Sequence, residues 1–213
     1  MKIAILTSPE QWFVPYAKLL KTKIKDSQLF FSHQEITEEF TIVFILAYHK
    51  IIEKKYLDLS NHNLVIHESA LPSGKGWAPM FWQILEGENT IPFTLFEINE
   101  KIDDGNIYMQ KDLQLTGYEL NKELREKQAI HSIDMCLEFI KNYDVYKIPR
   151  KQKGKETFYN KRTSKDSELD INNSINEQFN LLRIVDNENY PAFFYRNNKK
   201  YILKIEEVDN ENR

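Results

Sequence analysis

The stretch VIHESALPSGKGWAPMFWQILEG, residues 65–87, decides how the chain is read. An apolar strand runs into His67. A loop follows with Ser69, Leu71-Pro72, two glycines and Lys75, and then an aromatic-rich helical stretch over 78–86. Strand, loop and helix in this order form the unit from which parallel sheets are built. Working toward the N-terminus, KIAILT (2–7) and TIVFILA (41–47) are further apolar runs without alternation, as expected of strands buried on both faces. Between them Trp12, Tyr16, Leu19 and Leu20 recur at helical spacing, and Pro15 marks the start of the regular helix. QLFFS (28–32) reads as another strand and 51–59 as a short polar helix.

Toward the C-terminus come strands over 93–98 and 107–113, separated by the turn Asp103-Asp104-Gly105. A long helix is expected over 119–142, with Leu120, Leu124, Ile130, Ile133, Leu137 and Ile140 on one face. Cys136 within it is expected in the core. The fold class is therefore α/β, a largely parallel sheet with helices on both faces. After Tyr146 the chain turns basic and polar, which reads as a linker. A helix over 175–185 and a hairpin joining 192–195 to 201–205 follow, with Asn197-Asn198 suited to the turn. Residues 1–150 are expected as the main domain and 151–213 as a linker, helix and hairpin extension. The final residues, 209–213, are expected to fray.

Composition narrows the function. The formal net charge is −3, against a large phosphate-gripping surface, so no nucleic-acid partner is expected. A single cysteine permits no intrachain disulfide, which suits a reducing, cytoplasmic compartment. No apolar run reaches the roughly 20 residues of a membrane span, so no membrane partner is expected. His62 and His67 lack the companions of a zinc set, and no metal is expected. The Gly-x-Ser-x-Gly elbow and the dinucleotide fingerprint are both absent. In open parallel sheets ligands sit beyond the carboxyl ends of strands. His67, the segment 47–49 and the 103–105 turn could meet at such a rim, and His67 fits either packing or chemistry there.

One pattern is more specific. His67, Ser69, Leu71-Pro72, Gly76, Pro79, Gly87, Asp103 and Gly105 stand in an order that resembles the folate-dependent formyltransferases. Arg162, Asp166, Asp170, Ile171, Arg183, Tyr190, Pro191 and Phe193 resemble the same family's later segment. The resemblance implies a Rossmann-like domain, 10-formyltetrahydrofolate as donor and an amine as acceptor. It implies His67 and Asp103, with Ser69, as catalytic residues. Leu46, Ala47, Tyr48, Ile52, Asp104 and Gly105 would hold the pterin. One position departs from the family: Val65 stands where Asn is usual, two residues before the histidine. Asn63 lies on the same strand face, about 6–7 Å further back.

The sugar N-formyltransferases are the most similar branch, including the type found in pseudaminic acid assembly. This implies a UDP- or dTDP-linked 4-amino-4,6-dideoxy sugar as acceptor. Trp12, Tyr16, Lys75, Gly76 and Trp77 are the expected lining of its pocket, with Lys75 as a cation for the diphosphate. In 213 residues no room is expected for the C-terminal barrel of the initiator-tRNA enzymes. A homodimer through the hairpins is also expected from the resemblance. An amino-acid or peptidyl amine as acceptor, or a non-catalytic folate- or nucleotide-binding module, are the alternatives, the second favoured by Val65.

Overall fold

The computed structural model describes residues 1–99 and 102–208, so the expectation for 209–213 lies outside the described residues. Its centre is a six-stranded sheet. Strand β1 (Ile3–Leu6) leads to helix α1 (Val14–Lys23), which has Pro15 in its first turn. Strands β2 (Gln28–Phe30) and β3 (Phe40–Ile45) follow, then α2 (Lys54–Leu57), shorter than the expected 51–59. Strand β4 (Ser60–His67) ends on the histidine itself. After the two-residue strand β5 (Lys75–Gly76) come α3 (Pro79–Leu85), β6 (Thr90–Glu97) and β7 (Ile107–Gln114). The long helix α4 (Asn121–Lys141) is followed by a single turn, α5 (Tyr143–Tyr146).

The strand order is β2-β1-β3-β4-β6-β7. The first four strands run parallel, while β6 and β7 are antiparallel to their neighbours. The sheet is thus mixed and mostly parallel. On one face α1, α3 and α4 bury Leu20, Ile84, Ile133 and Phe139 against Ile5, Phe44 and Leu64. The other face is covered more thinly by Ile36, Tyr48, Ile52 and Leu59. Cys136 is fully buried, but Ile130 is 39% exposed and does not join the α4 face as expected. Gln128 and Ser132 take up that face instead.

The C-terminal third contributes β8 (Phe158–Tyr159), α6 (Phe179–Ile184) and the hairpin β9 (Ala192–Arg196) with β10 (Lys199–Leu203). The turn residues Asn197 and Asn198 both have positive φ, 48° and 60°. Short amide side chains tolerate that conformation and it matches the twist of a hairpin. Helix α6 starts later than expected because 170–178 is held in turns. Gln178 bonds the backbone of Asp170, and Glu177 caps Ser174.

A polar chain crosses the far end of β4. Tyr108 donates to Glu97, and the His62 ring bridges the hydroxyls of Tyr108 and Tyr143. Burial lowers the pKa of His62. His49 and His131 are lowered too, by burial first, with the charge of Lys161 adding to it at His49. Each of these imidazoles binds its proton more readily in the unfolded chain. Their contribution to stability is therefore complete above the unfolded value, about 6.5, and is lost as pH falls through the folded values. Glu97, raised by burial, acts in the opposite sense from about pH 4.5 upward. The urea midpoint is expected to drop between about pH 7 and pH 5.5, and less steeply in His62→Gln. Equal slopes for the two proteins would remove His62 as a source.

Candidate active site

His67 is placed by the register of β4, where it pairs with Thr94 of β6. Beyond it the chain turns sharply, and the Thr94 hydroxyl bonds the carbonyl of Ser69 at 2.6 Å. Gly74 then passes against Ser69: a Cβ there would lie 2.8 Å from the Ser69 Cβ, and φ is +74°. This close passage brings the Gly74 carbonyl within 2.8 Å of His67 Nε2. A carbonyl can only accept, so Nε2 carries the proton and His67 is a donor at that nitrogen.

Asp103 reaches the same place from the loop between β6 and β7. Its Oδ2 lies 3.8 Å from His67 Nε2 and accepts the Gly76 N–H at 2.8 Å. Asp103 is held at φ +49°, in the left-handed region. Gly105 closes the loop, where a Cβ would stand 1.5 Å from the Glu97 carbonyl oxygen. Gly105→Ala is expected to push the loop away, with an overpacking cost of about 1–3 kcal/mol. A urea midpoint unchanged from the parent would show that the loop absorbs the methyl group.

The Ser69 hydroxyl is buried and makes no hydrogen bond among the described residues. His67, Asp103 and Ser69 thus belong to one neighbourhood. Asn63 is committed elsewhere: its side chain accepts from Ser60 at 2.7 Å and donates to the Leu57 carbonyl at 2.9 Å. It secures the start of β4 and cannot stand in for the Asn missing at Val65. Val65 itself packs among Leu71, Phe96 and Ile107.

The segment expected to hold the pterin follows β3. Leu46 is buried and bonds back to Leu6, Ala47 takes a left-handed φ of +50°, and Tyr48 and Ile52 pack on the Val65 face. His33 braces this segment from below, with one ring nitrogen on the Tyr48 hydroxyl and the other on Glu53. The Asp104 carboxylate meets Lys75.

Of the residues expected to line the acceptor pocket, Lys75, Trp12 and Tyr16 are engaged within the protein itself. Lys75 is only 2% exposed, and its ammonium sits 2.8 Å from Glu156 and 3.0 Å from Asp104. It is not a free cation for a diphosphate. Trp12 and Tyr16 join the core cluster on the Ile66 face, opposite His67 along an alternating strand. There the Arg125 guanidinium lies 4.6 Å over the Trp12 ring and 4.3 Å over Phe81. Burial lowers Arg125 to about 10, against the pull of Glu68 and Asp186. Trp77, in contrast, is half exposed, stacked near His49 and covered by Lys161.

The sequence reading missed the segment 150–160. Instead of a linker it is a strap across the site. Strand β8 pairs in parallel with β5, so that Lys75 faces Phe158 and Gly76 faces Tyr159. Thr157 takes the N–H of Gly74 and Gln152 bonds the carbonyls of Asp103 and Gly105. The β-branched and aromatic run Thr157-Phe158-Tyr159 was the available signal. Two surface hollows, one at Asp170 and Tyr195 and one at Asn121 and Ile205, are lined by neither His67 nor Asp103.

With this geometry, the comparisons agree on the class. The model of the formyl transferase family matches residues 10–135. A methionyl-tRNA formyltransferase of Thermodesulfovibrio yellowstonii is 31% identical over 163 residues, 76% of this chain and 52% of its own length. The chain belongs to the formyl transferase family. It spans about half the length of that curated relative.

Solved structures show the same fold. A methionyl-tRNA formyltransferase from Clostridium thermocellum superposes with a TM-score of 0.80 at 22% identity, over 100% of this chain and 95% of that one. A sugar N-formyltransferase from a Shewanella species gives 0.68 at 16% identity, over 98% and 99%. HypX from Aquifex aeolicus, in complex with tetrahydrofolic acid, gives 0.75 at 16% identity, over 96% and 37%.

Proposed function

We propose that this chain transfers a formyl group from 10-formyltetrahydrofolate to the amine of a nucleotide-linked 4-amino-4,6-dideoxy sugar. The observation that carries the reaction type is the His67–Asp103 pair, held at 3.8 Å with a protonated Nε2 facing its carboxylate and the Gly74 carbonyl. The donor supplies an activated formyl carbon. The acceptor amine forms a bond to that carbon, the bond from the carbon to the folate nitrogen breaks, and the amine's surplus proton ends on the departing nitrogen. Negative charge gathers on the formyl oxygen meanwhile. His67 Nε2–H, shared with the Gly74 carbonyl, is a donor suited to that oxygen, and the unengaged Ser69 hydroxyl is a second donor that fits a substrate group. It is our candidate replacement for the Asn missing at Val65. Asp103 orients the imidazole from 3.8 Å. Leu46, Ala47, Tyr48, Ile52, Asp104 and Gly105 would hold the pterin, and Trp77 with Gly76 would border the acceptor.

Support for a sugar acceptor comes from the resemblance of residues 162–193 and from the Shewanella neighbour, which matches over nearly all of both chains. An aminoacyl amine is the second reading. The curated relative at 31% identity is named a methionyl-tRNA formyltransferase, and Lys151, Lys153, Lys155 and Lys161 stand exposed along the strap. The test is a mass-spectrometric formylation assay with 10-formyltetrahydrofolate, a set of UDP- and dTDP-linked 4-amino sugars, and methionyl-tRNA. A formyl mass gain on a sugar alone supports the proposal, and one on methionyl-tRNA alone replaces it with the second reading. Folate binding without turnover on any amine would favour a binding module.

A further inference from the structure

We propose that Lys75 is a positioning residue, a buried cation that sets the distance between His67 and Asp103 without touching substrate. The inference rests on the catalytic reading of those two residues. Lys75 occupies the middle of a three-residue hub. On one side the Gly74 carbonyl accepts from His67 at 2.8 Å. On the other the Gly76 N–H donates to Asp103 at 2.8 Å. The Lys75 ammonium pairs with Asp104, the next residue after Asp103, and with Glu156 of the strap. Three segments far apart in sequence are thereby fastened at one point.

A lysine almost wholly withdrawn from water is stable only when paired. Burial by itself would lower its pKa, but the bonds to Glu156 and Asp104 outweigh this and raise it. The ammonium therefore stays charged throughout the neutral range. To serve a phosphate of the acceptor it would have to leave two carboxylates and cross to the surface. To position the hub it has only to remain where it is.

The two roles separate by kinetics. Lys75→Met is expected to lower kcat on the order of 10²-fold, the cost of a displacement of about 1 Å between reacting groups, with the acceptor KM within about twofold of the parent. Lys75→Arg keeps the charge and is expected to restore part of kcat. The exposed partner allows a gentler variant: Glu156→Gln is expected to lower kcat in the same direction, by less, and it carries the test if Lys75→Met does not fold. A raised acceptor KM with kcat preserved would overturn the proposal in favour of substrate binding, and an unchanged kcat in all three variants would overturn it outright. Nitrogen NMR of the His67 ring supplies a readout independent of turnover. The parent should show a protonated Nε2 bonded to Gly74, and Lys75→Met should shift that signal. If no acceptor turns over with the parent, the catalytic reading fails. The ring signal still decides the positioning role, since identical spectra in parent and Lys75→Met would overturn it.

Discussion

His67→Ala is expected to lower the rate of formyl transfer on the order of 10²–10³-fold, with folate binding retained. The magnitude is that of removing one preorganised donor from a developing oxyanion, and the structure supplies that donor with a defined proton. The Gly74 carbonyl fixes hydrogen on Nε2 before any substrate arrives. Asp103→Asn keeps the size of the side chain and removes its charge. The double variant His67→Ala/Asp103→Asn is expected to lose little more than His67→Ala, because the carboxylate acts through the imidazole. Single-turnover measurement with the accepted amine gives both numbers. Full activity in His67→Ala would remove the site from consideration.

The second large effect concerns a buried ion pair that contacts neither His67 nor Asp103. Arg183 is 1% exposed and meets Glu119, itself 3% exposed, at 3.1 Å. It also bonds the Glu119 carbonyl and the Asn89 side chain. Glu119 in turn receives the N–H groups of Thr116 and Gly117 and the ammonium of Lys127. Removing one member of such a pair leaves a buried charge uncompensated, so Arg183→Ala is expected to cost about 3–5 kcal/mol of stability. Chemical denaturation measures it, and a loss below about 1 kcal/mol would mean that water reaches the carboxylate. The pH dependence has a definite sign. Burial alone would raise the Glu119 carboxyl, but its bonds from Lys127 and the backbone hold it at about 2, below the unfolded value of 4.5. This contribution is present above pH 4.5 and is lost as pH falls toward about 2.

The sheet was legible because its strands are continuous apolar runs. β1, β3 and β4 announce themselves, and the end of β4 puts His67 at a rim without further assumption. The hairpin was legible from Asn197-Asn198, whose side chains suit the backbone they adopt. What was hidden depends on contacts distant in sequence. Nothing local says that a lysine in a Gly-rich loop is buried, because lysines are mostly exposed and only the arrival of Glu156 and Asp104 makes the exception. Strands β5 and β8 have two residues each, too short for any periodicity. Trp12 fits a ligand platform as well as the core by its sequence position, and the Arg125 guanidinium over its ring comes from the distant helix α4. The sheet's parallel part reads as a pattern, whereas the site is an encounter between segments.

The pairing of β5 with β8 has a consequence for how the protein is made. Lys75 and Phe158 are neighbours across a parallel register. Closing so long an excursion is an entropic cost met late in folding, after local helices and adjacent strands have formed. During synthesis the sheet strands through β7 leave the ribosome before the strap does, so a nascent chain can hold its core while His67 and Asp103 still lack their common fastening. Competence would then arrive as one of the last events in the life of the new chain, set by the emergence of Gln152 to Tyr159 rather than by the completion of the sheet.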